Sequence, residues 1–423
     1  MKKINYKINL FLILLLSSLI LNIHFYIKSP SFKNFRHYLY TFNIKMNDID
    51  QKAKLFFDQD FYAKNYIIPH SFKGNAYDHF VQQGWKKGNK PNKDFDVRLY
   101  HAFFSEPDFF ENYQRFLTPL HYYVYLKYFD SSLLKKNKIN IDHIVKSVKK
   151  LDHPKYSLTV CAIFQNEARF LKEWIEFYLM QGVDHFYLYN HNSTDDFVSI
   201  LKPYIEKGIV TLRHITINPK SSADWVRDVQ SKTYFDLSQE IKDDVEWVMY
   251  LDIDEFLFPV KENTLKTILN DYDHNACVRV PWVFFGTGNV ERVRSDQLVI
   301  QELDQAMHIT DDSIATKFIV KPRYIKQITS PHFCNLILGY FAVDEDNQYV
   351  STDDTLSPIL TKKLRINHYY SRDKTFFNEV KLKRWRDALS STHIQNQNLR
   401  YSLREDVEIK RFIPEMKKRM KIK

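Results

Sequence analysis

The sequence predicts an α/β protein built on a mainly parallel sheet. After Pro154, short apolar runs rich in Val, Tyr and Trp alternate with stretches of helical period. Alternation of that kind pairs successive strands in parallel through right-handed helical crossovers. Polar clusters follow three of the runs, which puts them at the carboxyl edge of the sheet, where such folds bind ligands.

The chain opens on a lipophilic segment, residues 8–27, preceded by Lys2, Lys3 and Lys7. About 20 helical residues just cross a bilayer. No small-x-small cleavage site follows, so residues 1–30 are expected to stay as a membrane anchor rather than leave as a signal peptide. Lys28, Lys33, Arg36 and Lys45 balance the leading lysines, so charge does not orient the anchor.

Residues 50–130 read as a small aromatic-rich helical module with a weak two-fold repeat. Phe57-Asp58-Gln59-Asp60-Phe61-Tyr62 is echoed by Phe95-Asp96-Val97-Arg98-Leu99-Tyr100, and Ala76-Tyr77-Asp78-His79-Phe80 by Pro119-Leu120-His121-Tyr122-Tyr123. Its histidines are equally readable as core residues or as a binding element. Residues 131–155 are Lys-rich and read as a linker. Residues 156–390 are expected to form the main domain and residues 391–423 a basic C-terminal tail.

Within the main domain, strands are expected at 158–164, 184–190, 209–215 and 245–251. Helices are expected at 168–181, 196–206 and about 223–240. The first has an apolar face through Leu171, Trp174, Ile175 and Tyr178 and is stopped by Gly182.

Composition narrows the function. The formal net charge of +10 suits anionic lipid, phosphorylated substrates or nucleic acid. No recognition helix or zinc-finger spacing accompanies it, so nucleic acid is not expected as a partner. With eight glycines in the whole chain there is no Walker loop and no Gly-x-Gly-x-x-Gly fingerprint. Cys161, Cys277 and Cys334 have no metal-ligand spacing and are odd in number, which argues against a disulfide framework.

The chemistry concentrates at Val245–Phe256, an apolar run that discharges into Asp252-Ile253-Asp254-Glu255. Asp252 and Asp254 are two apart, so an extended chain projects both to one side. Paired carboxylates repel, and a divalent cation relieves that repulsion; a solvated acidic turn is the other reading. The first strand ends in Gln165-Asn166-Glu167 and the second in Asn190-His191-Asn192-Ser193-Thr194-Asp195-Asp196. Each of these also reads as a helix cap, but together they point to one shared site.

At these residues the chain resembles glycosyltransferase family 92, the group once called domain of unknown function 23. The resemblance runs from about Leu158 to Trp385. It rests on Asn166-Glu167 with Leu171-Lys172-Glu173-Trp174-Ile175, on Gly182 to Tyr189, and on Asn192-Ser193-Thr194-Asp195. It continues through Asp252-Ile253-Asp254-Glu255-Phe256, Trp282-Val283-Phe284-Phe285-Gly286-Thr287-Gly288 and Asn367-His368-Tyr369-Tyr370. Gln165 stands where the family usually carries Lys, and Asn190 where it usually carries Asp. The helical module is similar to accessory modules of bacterial polysaccharide glycosyltransferases.

The resemblance implies a GT-A type, Rossmann-like fold. It implies inverting transfer of a sugar, often galactose, from a nucleotide diphosphate donor (a UDP-sugar favoured) to a glycan or other hydroxyl acceptor. It also implies a divalent cation, Mn²⁺ favoured over Mg²⁺, held by Asp252, Asp254 and His368. Asn166, Glu167, Asn192, Asp195, Asp252, Gly286 and Gly288 are then expected to bind the nucleotide sugar. Lys317, Lys321 and Arg323 are candidates to face the diphosphate, with a solvated strand face expected for at least two of them; His332 is a weaker candidate.

An inverting transfer needs a general base, for which Glu302, Asp304, Asp311 and Asp312 are the candidates. Two rival functions remain at this point. A haloacid-dehalogenase-like phosphatase also opens on Asp-x-Asp, but needs Thr or Val where this chain has Phe256. An inactive nucleotide-sugar-binding protein of the same fold is the other. In a bacterial source the catalytic domain is expected on the cytoplasmic side of the inner membrane; in a eukaryotic one, at the Golgi membrane.

Overall fold

A computed structural model describes residues 46–307, 315–350, 360–381 and 403–422. The proposed anchor, Asp311, Asp312 and Trp385 lie outside the described residues. Among the described residues no helix is long and apolar enough to cross a membrane.

The chain divides into two compact units, one of residues up to 97 with 112–141, the other of 98–111 with 142–423. The first is helical: 46–56, Gln59–Asn65, Ala76–His79, Pro119–Tyr128 and Ser132–Lys136. Its histidines are internal partners. Tyr62 Oη and His79 Nδ1 are 2.9 Å apart, and Thr118 Oγ1 and His121 Nδ1 are 2.8 Å apart. Both imidazoles are buried, and burial lowers the pKa of each. The expected module at 50–130 is therefore interrupted: 98–111, which hold Arg98-Leu99-Tyr100 of the second copy of the echo, group with the other unit.

The second unit is built on a ten-stranded sheet. Its strands in chain order are β1 (Tyr156–Phe164), β2 (His185–His191), β3 (Val210–Ile215), β4 (Val245–Tyr250), β5 (Glu255–Pro259) and β6 (Cys277–Phe284). The ladder β7 (Gln305–Met307) is followed by β8 (Thr316–Val320), the hairpin β9 (Ile325–Ser330) and β10 (Phe333–Leu336), and the short β11 (Ala342–Val343) and β12 (Tyr349–Val350). Last come β13 (Leu364–His368) and β14 (Leu403–Glu405).

The order is β12-β11-β6-β8-β4-β1-β2-β3, with β13 bridging β5 and β6. β3, β2, β1 and β4 run parallel, as the alternation predicted. β4 is buried along its whole length, the burial that a near-continuous apolar run in a two-sided parallel sheet implies. β8 runs antiparallel to both β4 and β6, a reversal no period in the sequence announces.

Helix α1 (Ala168–Met180) covers this sheet with Leu171, Trp174, Ile175 and Tyr178 fully buried. Gly182, at φ +88°, ends it in a left-handed turn suited to glycine. Two further helices are α2 (Phe197–Glu206) and α3 (Lys232–Ile241), the latter led by a π-helical turn at Trp225–Ser231.

Helix α4 (Ile413–Met420) overturns the expectation of a basic tail. Ile409, Phe412 and Met416 recur at helical spacing and are buried, with the Phe412 ring 5.7 Å from Phe177. Arg419 donates to Glu176 at 3.0 Å, and Leu403–Glu405 pairs with β7. Burying the Met416 side chain contributes ~2 kcal/mol, enough to fix an amphipathic turn whose lysines face outward. The linker is anchored as well: Leu151 N donates to Glu246 Oε2 at 3.0 Å and Lys146 N to Gly339 O at 2.8 Å.

Candidate functional site

The carboxyl ends of β1, β2 and β4 lie at one edge, and the loops leaving them are physically joined. Asn166 N donates to Ser193 Oγ at 2.9 Å, and Thr194 N returns a bond to Asn166 Oδ1 at 2.7 Å. Both Asn166 and Asn192 adopt positive φ (55° and 53°), a conformation asparagine tolerates better than most residues. Asn192 Nδ2 donates to Asn218 Oδ1 at 2.9 Å.

Asp195 does cap a helix, but not the one after it. Its Oδ2 accepts the Ala168 N–H at 2.7 Å and so starts α1 across the loop, while its buried Oδ1 has no hydrogen-bond partner.

The acidic motif itself is split by its surroundings. β5 begins at Glu255, and α1 pins it there: Trp174 Nε1 and Tyr178 Oη both donate to Glu255 O at 3.0 Å. β13 pairs with β5 so that His368 stands opposite Glu255, and Tyr369 N donates to Asp254 O at 2.8 Å. This register brings His368 Nε2 to 3.4 Å from Asp254 Oδ1. Lys381 Nζ sits 2.6 Å from Asp254 Oδ2.

Burial alone would raise the Asp254 pKa, but Lys381 and then His368 outweigh it and hold the carboxyl well below its usual range. Burial lowers the His368 pKa more than Asp254 raises it. Rings of Trp282 and Phe284 lie 4.3 and 5.0 Å from the His368 ring and wall it off.

Asp252, expected to join Asp254 and His368 on an ion, is ion-paired in the same way as Asp254. Its Oδ2 accepts from Lys317 Nζ at 3.0 Å, and Lys317 also lies 3.4 Å from Glu255 Oε1. Lys317 is wholly buried, which neither a solvated strand face nor an open phosphate-facing lysine allows. Lys321 and Arg323 are corrected too: both pair with Glu246 at 3.0 Å. Glu246 is the second residue of β4, roughly 20 Å of extended chain from Asp252, so these cations serve the opposite edge of the sheet.

Glu167, expected to bind base and ribose, is buried with Oε2 3.2 Å from Arg372 Nη2. Arg372 is fully buried at φ 52°, its Nε and Nη1 without hydrogen-bond partners, and its charge also helps keep Asp254 ionised. The segment Asn367–Arg372 thus ties the β1 loop to the β4 loop.

Gly286 and Gly288 follow β6 at the same edge: Phe285 N donates to His368 O and Gly286 N to Gln305 O, both at 2.9 Å. At Gly288, φ is +56° and a Cβ would stand 3.3 Å from Gln305 Cγ. His332 packs 5.0 Å from the Trp282 ring, near the site, though its Nδ1 is turned to Thr316 O at 3.2 Å.

Of the candidate bases, Asp304 is withdrawn: Lys410 Nζ lies 2.7 Å from its Oδ2. Glu302 closes the short helix Val299–Glu302 and carries no ion pair among the described residues. Lys317, Arg372 and Lys381 are the residues whose site contacts sequence reasoning missed. The signal for Arg372 was its place four residues beyond His368 in a charged run; Lys381 had none.

The donor chemistry fits one divalent cation. Two ligands bound at right angles to one ion at about 2.1 Å stand about 3 Å apart, and Asp254 Oδ1 and His368 Nε2 offer a carboxylate oxygen and an imidazole nitrogen near that separation. Among the described residues no three His, Cys, Asp or Glu are gathered to hold an ion alone. Water and substrate supply further ligands to small hard cations bound with phosphates as a general rule.

Comparison with known proteins supplies the family. A glycosyltransferase family 92 protein of Ricinus communis is 24% identical over 222 residues, covering 51% of this chain and 35% of that protein. One of Oryza sativa subsp. japonica is 25% identical over 218 residues, covering 52% and 30%. The chain thus spans about a third of the length of these relatives.

Among solved structures, S. aureus TarS 1-349 in complex with UDP-GlcNAc matches at 12% identity and TM-score 0.28, covering 48% of this chain and 62% of that one. Glucosyl-3-phosphoglycerate synthase from Mycobacterium tuberculosis, in complex with Mn²⁺, UDP and glucosyl-3-phosphoglycerate, matches at 10% identity and TM-score 0.23, covering 40% and 58%. The sequence model of glycosyltransferase family 92 matches residues 156–404, from the first residue of β1 into β14 and across every loop of the site. The chain belongs to glycosyltransferase family 92.

Proposed function

We propose that this protein transfers a sugar, galactose-like in the favoured case, from a nucleoside diphosphate donor to a hydroxyl of a glycan acceptor, with inversion at the anomeric carbon. One observation above all supports the reading. Asp254 and His368 meet 3.4 Å apart at the carboxyl edge of the sheet, in a chain of glycosyltransferase family 92.

A bound Mn²⁺ would supply Lewis-acid neutralisation of the charge that builds on the departing diphosphate. Asp254 and His368 would hold it. Trp282 and Phe284 keep water from the imidazole and fix its ring. Lys317 restrains the Asp252 carboxylate, leaving it on the flank of the site for a donor hydroxyl. Asn166 and Asn192 set the loop that would receive the nucleotide, and Gly288, at φ +56°, lets the backbone turn at the edge where the sugar would lie. In this reading residues 8–27 anchor the chain to the membrane on which the acceptor is assembled, with the catalytic unit facing the cytoplasm in a bacterial cell and the Golgi lumen in a eukaryotic one.

The test is nucleoside diphosphate release by the purified full chain in detergent, given Mn²⁺ and a panel of UDP-sugars. One donor is expected to turn over slowly even into water, with Asp254→Asn at least 100-fold slower. Inorganic phosphate release from phosphoesters in its place, or donor binding without turnover at any acceptor, would overturn the assignment.

A further inference from the structure

Lys381 has no part in the mechanism above, yet it makes the shortest contact in the site. Its Nζ stands 2.6 Å from Asp254 Oδ2, on the carboxylate whose other oxygen faces His368. The contact is built: the Lys381 side chain is only 12% exposed, its ammonium lies 4.5 Å from the centre of the Tyr370 ring, and the π-helical turn Phe377–Lys381 carries it in. Among the described residues, Glu167 is paired with Arg372 and Asp252 with Lys317.

A divalent ion arriving alone would therefore meet a carboxylate already neutralised, in a buried setting where like charges are poorly screened. A nucleoside diphosphate brings its own negative charge and removes that conflict.

We propose that Lys381 is an internal counter-cation that takes the metal's place on Asp254 and makes divalent-cation binding depend on the nucleoside diphosphate. The inference rests on the nucleotide-sugar reading of the site. Lys381 acts here as a positioning residue: it governs when Asp254 is released to the ion. The ammonium also keeps Asp254 ionised and in place while no ion is bound, which spares the site an isolated buried charge.

The experiment is Mn²⁺ binding to the full chain in detergent, read from the electron paramagnetic resonance signal of free Mn²⁺, with and without UDP. UDP is expected to tighten Mn²⁺ binding to the wild type at least tenfold. Lys381→Met is expected to bind Mn²⁺ alone at least tenfold more tightly than the wild type and to respond less to UDP. Lys381→Arg, which keeps the cation, is expected to behave as the wild type, and Lys381→Gln repeats the test should the methionine variant fail to fold. An unchanged or weaker Mn²⁺ affinity in folded Lys381→Met, with the wild type still responding to UDP, overturns the role of Lys381 and leaves the proposed function standing. A wild type whose Mn²⁺ binding ignores every nucleotide overturns the coupling together with the donor reading.

Discussion

Replacing Lys317 by Met probes the structural half of the site. Lys317 Nζ is wholly buried between Asp252 at 3.0 Å and Glu255 at 3.4 Å. At an effective dielectric of about 20, unit charges at those separations attract by ~5 kcal/mol each, most of which the desolvation of the ammonium offsets. Removing one partner is worse than never having had the pair, because it strands a charge, typically at ~3–5 kcal/mol.

The two carboxyls respond differently. Asp252 is 34% exposed and can recover water, whereas Glu255 is fully buried and cannot. We therefore expect Lys317→Met to cost about 3 kcal/mol near pH 8, the low end of that range.

The loss should also depend on pH, with a definite sign. Burial first, and then Asp252 and Asp254, push the Glu255 pKa well above the usual carboxylate range, with Lys317 opposing. A raised folded value gives stability that is present below the unfolded pKa and is lost as pH rises toward the folded one. Without Lys317 the folded value climbs further, so the deficit is smallest near about pH 5 and grows toward pH 8. The raised pKa of Lys317 itself adds no slope here, since its contribution is complete below 10.5. Urea unfolding followed by tryptophan fluorescence at both ends of that range measures the deficit. A loss under ~1 kcal/mol, or one that shrinks as pH rises, would refute the reasoning.

Three further outcomes are expected. His368→Ala should weaken Mn²⁺ binding in the presence of UDP by at least about tenfold, the scale lost even when only a ligand's supporting partner is removed; titration calorimetry reads it. Glu173 is buried, and burial pushes its pKa up to about 7 although the N–H groups of Val299 and Ile300 that it accepts from oppose the rise. The wild type should therefore lose stability relative to Glu173→Gln as pH rises from 4.5 through 7, and parallel denaturation curves over that window would contradict it. Met416→Ala should cost ~2–4 kcal/mol by opening a cavity beneath α4. A surface-like loss of a few tenths in thermal unfolding would return 403–422 to the status of a loose tail.

The sequence by itself determined the β1–β4 progression, the helices between those strands and the edge on which polar loops gather. Those features are local: a buried strand must be apolar along its length, a helix must present a stripe, and a strand end must turn polar to leave the core. For the same reason Asp254 and the loops at Asn166 and Asn192 were legible, since each directly follows a strand.

The tertiary structure alone decided how each carboxylate is paired. Asp252, Glu167 and Asp254 look equally free in the chain, yet Lys317 holds the first, Arg372 the second and Lys381 the third, across 65, 205 and 127 residues. A lone Lys or Arg carries no local mark of its partner. Its ion pair is set by how β8 reverses beside β4 and how β13 inserts between β5 and β6. The C-terminal residues follow the same logic. Ile409, Phe412 and Met416 are too few among the lysines to announce a core segment, and they become one because α1 leaves an apolar face for them to cover.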